Sequence, residues 1–281
     1  MNLSDKVNLS NFKLFVFDID GTLMGKDHII HSFTKKTLFR LRAEGYPFTL
    51  ATGKNMPATI SQADELEVDL PLILINGGMV QTRSGRIISE LTLPETVTRK
   101  AIEICDARYK DLVIYIGDGI YFKKMNENIF PVYGHLNSGL HAVGEWEAIE
   151  EMIPHANKCL VVDSFEPMKL IEMGNVFDDT FRGDVDVLHT STVLVELMPK
   201  GINKVTGIRA LAESMGISMD AIMAFGDYDN DVEMLSSVGL GVAVENASPS
   251  AKAAADIVIG SVSEQGPAVF LKELLDRQSG R

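Results

Sequence analysis

Cysteine is nearly missing from this chain, with only Cys105 and Cys159 among 281 residues. The two form no CxxC pair and no Cys/His metal spacing, which excludes a disulfide framework and a zinc module; a reducing, cytoplasmic compartment is expected. No apolar run approaches the roughly 18 residues of a membrane span. The run LFVF at 14–17 is too short for a signal core and stops at Asp18. Basic charge is scarce too: 26 Lys and Arg stand against 39 Asp and Glu, a net charge of −13 with no long run of either sign. Nucleic acid and anionic membrane both call for a basic patch, so neither is an expected partner. An anionic substrate would need local positive charge from a metal ion, a lysine or a helix N-terminus. The six histidines are scattered and none is assigned to a metal. The glycosylation tripeptides at Asn2, Asn8 and Asn246 carry no meaning in a cytoplasmic chain. Internal repeats and low-complexity tracts are absent. What is present is length and a hydrophobic fraction of 46%, enough for a full core and two domains.

The stretch LFVFDIDGTL at 14–23 anchors the rest. Four apolar residues run into Asp18, Asp20 follows two positions on, and Gly21-Thr22 breaks the run. That pattern is a buried parallel strand ending at the sheet edge where open α/β sheets bind ligands. On a chain of period two, the carboxylates of Asp18 and Asp20 start out on the same face. A helix follows at Ser32–Ala43, then a strand Phe48–Ala51 closing on Thr52-Gly53. A helix from Met56, with Pro57 in its first turn, leads to a strand Leu72–Ile75 closing on Asn76-Gly77-Gly78. This βαβαβ rhythm predicts a parallel sheet with right-handed crossovers.

From about Gln81 the style shifts to hairpins and interspersed helices, among them a tight turn at Gly117-Asp118-Gly119. An antiparallel α+β module inserted into the first domain is expected. The α/β rhythm resumes with a strand Leu194–Leu197, a helix Asn203–Met215, a strand Ala221–Phe225 and a helix Asp229–Leu235. The predicted architecture is a Rossmann-like parallel-sheet core, residues 1–82 and 191–281, with an inserted α+β domain at 83–190. Hinges between the two are expected near Arg83–Gly85 and His189–Thr192.

Three further signals follow strands: Thr52-Gly53, Lys204 of GINK, and GDYDND at 226–231. On a parallel sheet such loops share one edge, so distant residues can converge there. Asp227 and Asp231, four apart at a helix start, fall on one helix face, where they repel unless a cation or the helix dipole offsets the cost. With Asp18 and Asp20 they make an oxygen-rich site of the kind Mg²⁺ prefers. Singly, each has a plainer reading: Asp227 as a helix cap, Thr52 as a turn hydroxyl, Lys204 as a solvated surface charge. Their joint occurrence, in this order at strand ends, carries the argument.

DIDGT, the threonine of ATGK, the lysine of GINK and GDYDND resemble the four motifs of the haloacid dehalogenase superfamily. The NGG at 76–78 and an insert of about a hundred residues resemble its Cof-type, sugar-phosphatase-like members. The resemblance implies a phosphatase with Asp18 as nucleophile and Asp20 as general acid and base. It implies Mg²⁺ on the Asp18 carboxylate, the Asp20 backbone carbonyl and Asp227. Thr52, the Gly53 amide, Lys204 and Asn230 would hold the phosphoryl group, and Asp231 would orient metal-bound water or Lys204. The insert would act as a lid or cap. The implied partner is a small-molecule phosphate ester; assembly into a homo-oligomer is left open. Two positions depart from the pattern: Lys54, where many relatives have arginine, and Tyr228, where glycine is usual. Two other readings stand beside the phosphatase. One is a phosphomutase or phosphotransferase of the same superfamily, the other a non-catalytic phosphate-binding regulator, for which an intact Asp18/Asp20 pair has no use. A transport ATPase shares the aspartyl-phosphate chemistry but needs membrane spans.

Overall fold

Leu14–Phe17 forms β1, with all four side chains buried, as a strand covered on both faces requires. The structure, a computed structural model, describes residues 7–136 and 138–280; the tripeptide at Asn2 lies outside the described residues. After β1 come helix α1 (Ser32–Ala43) and strand β2 (Phe48–Leu50). The residue capping α1 is His31 rather than Ser32. Helix α2 (Met56–Glu65) leads to strand β3 (Leu72–Leu74), which pairs antiparallel with β4 (Met79–Gln81). Strand β5 (Ile87–Glu90) completes that three-stranded sheet. A single parallel bridge, Ala51 to Ile73, links β3 to the strand before it. The Arg83–Gly85 segment is thus the tip of the β4–β5 hairpin, not a hinge.

A second body of chain has its own sheet and core. It contains α3 (Glu95–Ala107), β6 (Asp111–Ile116), β7 (Gly119–Phe122), the short α4 (Phe130–Tyr133), β8 (Leu140–Ala142) and a 3-10 helix, Trp146–His155. Then follow β9 (Lys158–Val162), α5 (Pro167–Phe181), β10 (Val185–Ser191) and β11 (Leu194–Pro199). The strand order is β10-β11-β9-β6-β7-β8, antiparallel apart from β7 with β8. Alternate residues Leu112, Ile114, Cys159, Val161, Val195 and Leu197 pack with Val97 and Ile104 of α3 and Leu170 and Phe177 of α5. The residues between them carry a buried ion pair, Lys158 to Glu196 at 3.0 Å. Burial pushes the thiols of Cys105 and Cys159 up, the latter to about 12, so both stay protonated and unreactive.

The first body is completed by α6 (Lys204–Met215), β12 (Ile222–Gly226), α7 (Val232–Ser237), β13 (Leu240–Val244), α8 (Pro249–Ala254), β14 (Ile257–Ile259) and α9 (Gly266–Gln278). Its main sheet runs β14-β13-β12-β1-β2, every pair parallel. This is the expected Rossmann-like sheet, with β1 near its middle. The compact units are the chain up to Lys54 with Ile60–Ser89 and the chain from Asn203, and separately Asn55–Thr59 with Glu90–Ile202. Both long boundaries fall later than the 82/83 and 190/191 read from the sequence. The cause is pairing: β5 stays with β3 and β4, and β11 joins the antiparallel sheet. Leu194–Leu197 is therefore no core strand, and His189–Thr192 is a bend within the β10–β11 pair rather than a hinge.

Candidate functional site

The ladder of β1 ends at Phe17, and the next residues leave the strand. The Asp18 amide still donates to Phe225 O at 2.9 Å, which fixes its carboxylate at the sheet edge, 7% exposed. The chain then turns, with the Leu23 and Met24 amides both donating to Ile19 O. Gly21 sits in that turn at φ +92°, and a Cβ there would lie 2.1 Å from Asp227 Oδ2. Only glycine allows the DIDGT loop to close on Asp227. Thr22 makes the contact specific, its hydroxyl donating to Asp227 Oδ1 at 3.0 Å.

Lys204 enters from another direction. Asn203 caps α6 by accepting from the Thr206 amide, and Lys204 opens the helix with its side chain fully buried. Its Nζ donates to Asp18 Oδ1 at 2.5 Å and to Asp231 Oδ1 at 2.6 Å. The other oxygen of Asp231 accepts from the Asp227 and Tyr228 amides at 2.9 and 3.0 Å. Asp227 and Asp231 thus come together because the Asp231 carboxylate folds back over the loop, not because they share a helix face: Asp227 precedes the helical turn. Asp18, Asp227 and Asp231 each present an oxygen within 4.8 Å of the others.

One ammonium faces three carboxylates here, all buried. Burial drives the Asp18 carboxyl well above its ordinary range; Lys204 opposes this, and Asp231 and Asp227 add to it. Asp227 is pushed up to about 6, by burial first and then by Asp231. Burial alone would lower Lys204, but Asp18 and Asp231 outweigh it and hold its pKa above the ordinary lysine value. The excess negative charge and the all-oxygen donor set fit a hard divalent cation. Asp231 is the least available donor of the three, since both of its oxygens already accept hydrogen bonds from Lys204 and two amides.

Asp20 has left this cluster. Its exposed carboxylate meets Lys54 Nζ at 2.6 Å, so the two carboxylates of DIDGT do not share surroundings. The period-two expectation fails because the strand ends before either of them. Thr52 is buried, and its hydroxyl accepts from the Lys54 amide at 3.2 Å. Asn230 is exposed and donates to Asn76 Oδ1 at 3.0 Å. Tyr228 is 57% exposed. Asn76-Gly77-Gly78 is in sequence a strand-ending turn, with no part in the site expected for Asn76. A polar residue at the sheet edge where the other loops converge was the available signal.

The family model of haloacid dehalogenase-like hydrolases matches residues 15–271. An HMP-PP phosphatase of Yersinia pseudotuberculosis is 28% identical over 267 residues, 94% of this chain and 96% of the relative. A phosphoglycolate phosphatase of Methanopyrus kandleri is 28% identical over 264 residues, 94% of this chain and 97% of the relative. The solved structure of a haloacid dehalogenase-like hydrolase from Bacteroides thetaiotaomicron aligns with a TM-score of 0.85 at 26% identity, covering 94% of this chain and 99% of that one.

Proposed function

The chain belongs to the haloacid dehalogenase-like hydrolase family, in its Cof-type branch, and from that premise we propose a Mg²⁺-dependent phosphatase acting through an aspartyl phosphate. It is a phosphoric monoester hydrolase, and its substrate is a small phosphorylated metabolite, a sugar phosphate or a cofactor precursor. The HMP-PP phosphatase and phosphoglycolate phosphatase relatives support that substrate class. The observation that carries the reading is the contact of Lys204 Nζ with Asp18 Oδ1 at 2.5 Å, which joins two motifs 186 residues apart beside Asp227.

In this reading the Asp18 carboxylate attacks phosphorus. The Asp18 O–P bond forms while the ester P–O bond breaks, and Asp20 gives its proton to the departing alkoxide. Asp20 then takes a proton from water as that water attacks phosphorus, releasing inorganic phosphate and regenerating Asp18. Asp20 is suited to carrying protons in and out because its carboxylate is exposed, whereas that of Asp18 is buried. Lys204 spends two of its three N–H donors on Asp18 and Asp231, leaving one for a phosphoryl oxygen. Thr52, the Gly53 amide and Asn230 complete the phosphate cradle. Asp231 fixes Lys204 and the loop carrying Asp227. The Asp18 carboxylate, the Asp20 carbonyl and Asp227 would hold Mg²⁺, which supplies charge neutralisation between the anionic nucleophile and the phosphate. The second unit is the cap domain of the family. Among the described residues no helix is long and apolar enough to cross a membrane, and a cytoplasmic site of action completes the proposal.

The test is hydrolysis of p-nitrophenyl phosphate. Wild-type protein releases inorganic phosphate without an added acceptor, which separates a phosphatase from a phosphomutase, and EDTA stops the reaction. Asp18→Asn abolishes it with circular dichroism unchanged. Turnover surviving in that variant would remove Asp18 as nucleophile.

A further inference from the structure

Three successive residues after β3, Ile75, Asn76 and Gly77, all have positive φ, at 52°, 51° and 90°. Left-handed backbone is costly for a side chain with a Cβ and most of all for a β-branched one, yet Ile75 adopts it. Such a turn persists only where its surroundings dictate it. The Ile75 amide donates to Lys54 O at 3.0 Å and the Asn76 amide to Thr52 O at 2.9 Å, tying the turn to the threonine loop on both sides of Gly53. Gly77 lies against the start of α6, where a Cβ would stand 2.1 Å from Asn203 O, next to Lys204. The Asn76 side chain, 6% exposed, lies against Gly53, where an added Cβ would be 3.0 Å from Asn76 Oδ1, and that same oxygen accepts from Asn230. One strained turn therefore touches the threonine loop, the lysine helix and the Asn230 loop.

We propose that Asn76 is a positioning residue of the phosphate cradle: its buried carboxamide fixes the otherwise exposed Asn230 amide against the Gly53 loop, and the left-handed turn exists to put it there. The inference rests on the phosphatase reading for what the cradle holds. Asn76→Gly removes the carboxamide while keeping, and easing, the left-handed backbone. It should melt at or above the wild-type temperature. In that same variant kcat/KM for p-nitrophenyl phosphate should fall by about tenfold, the scale of one lost hydrogen bond to a phosphate-holding group. Because Asn76 acts through Asn230, adding Asn76→Gly to Asn230→Ala should cost little further activity. Wild-type kcat/KM in Asn76→Gly overturns the proposal, as does a loss that adds in full to that of Asn230→Ala. A second arm needs no turnover: inorganic phosphate should raise the melting temperature of wild-type protein more than that of Asn76→Gly, and equal shifts refute the role. Wild-type protein that hydrolyses no phosphate ester counts against the proposed function alone, and the phosphate-shift arm then decides on Asn76.

Discussion

With no divalent cation bound at this site, the protein should become less stable as pH rises through 6, opposite to the usual acid lability of a paired carboxylate. Asp227 is raised from its ordinary 3.8 to about 6 by burial and by Asp231. A group raised on folding contributes stability that is complete below its unfolded pKa and is lost as pH climbs through the folded one, so the window runs from about 4 to about 7. A shift of that size corresponds to about 3 kcal/mol at 1.36 kcal/mol per pKa unit. Asp227 is not fully enclosed, and solvent screening reduces this to on the order of 2 kcal/mol. Asp18, raised by burial in the face of Lys204, adds in the same direction. Asp163, Asp229, Glu264 and Asp276 are lowered, so their contributions are lost only as pH falls through their folded pKa values, below this window. Calorimetric unfolding in EDTA from pH 4.5 to 7.5, for wild type and Asp227→Asn, isolates the Asp227 part as the difference between the two slopes. Wild type should lose roughly 2 kcal/mol more than the variant across that range. Mg²⁺ fixed at a hundred times its Kd at pH 7.5 should restore about 2.7 kcal/mol there, and the same concentration should restore less at pH 4.5, where protons occupy the ligand. Parallel slopes for the two proteins, or a Mg²⁺ effect independent of pH, would refute the electrostatic account.

Two further perturbations probe the same cluster. Lys204→Met leaves Asp18 and Asp231 buried without their ammonium, and should cost about 3–5 kcal/mol at pH 7 in EDTA and abolish hydrolysis in Mg²⁺; a stability loss below about 1 kcal/mol would refute a buried ion network at Lys204. Gly21→Ala and Gly45→Ala form a matched pair, both at φ +92°. At Gly45 nothing lies within 4 Å, so only the backbone cost of about 1–2 kcal/mol applies and activity is kept. At Gly21 the new Cβ meets Asp227, so Mg²⁺ affinity measured by titration calorimetry should fall by tenfold or more beyond that cost, and equal behaviour of the pair would rule out the Gly21–Asp227 packing argument.

What the sequence disclosed and what it hid divide along the range of the forces involved. LFVF at 14–17, FTL at 48–50 and IMAF at 222–225 announce themselves as buried strands by composition alone, and the structure makes them neighbours in one parallel sheet. Leu194–Leu197 also reads as a strand, though Glu196 interrupts its apolar run, and its partners are β9 and β10. A short strand signature does not say which sheet the strand joins, because pairing is decided by chain distant in sequence. The same limit explains the site. Asp18, Asp227, Asp231 and Lys204 are each visible as residues at element ends, but spacing alone treats Asp227 and Asp231 alike; only the family resemblance sets Asp231 apart, and the physical reason, two oxygens already accepting from Lys204 and the loop amides, lies in distant contacts.

Asn76 marks the other kind of hidden residue. Nothing in Asn-Gly-Gly distinguishes an ordinary strand-ending turn from one whose carboxamide braces a distant loop. The difference lies in Ile75, whose β-branched side chain should not occupy left-handed backbone unless something outside the turn demands it. Local preference and observed conformation disagree there, and the demand is met by four residues that no local window contains: Thr52, Lys54, Asn203 and Asn230. At Ile75 the conflict between what the residue prefers and where it sits thus points to those distant contacts rather than to the turn itself.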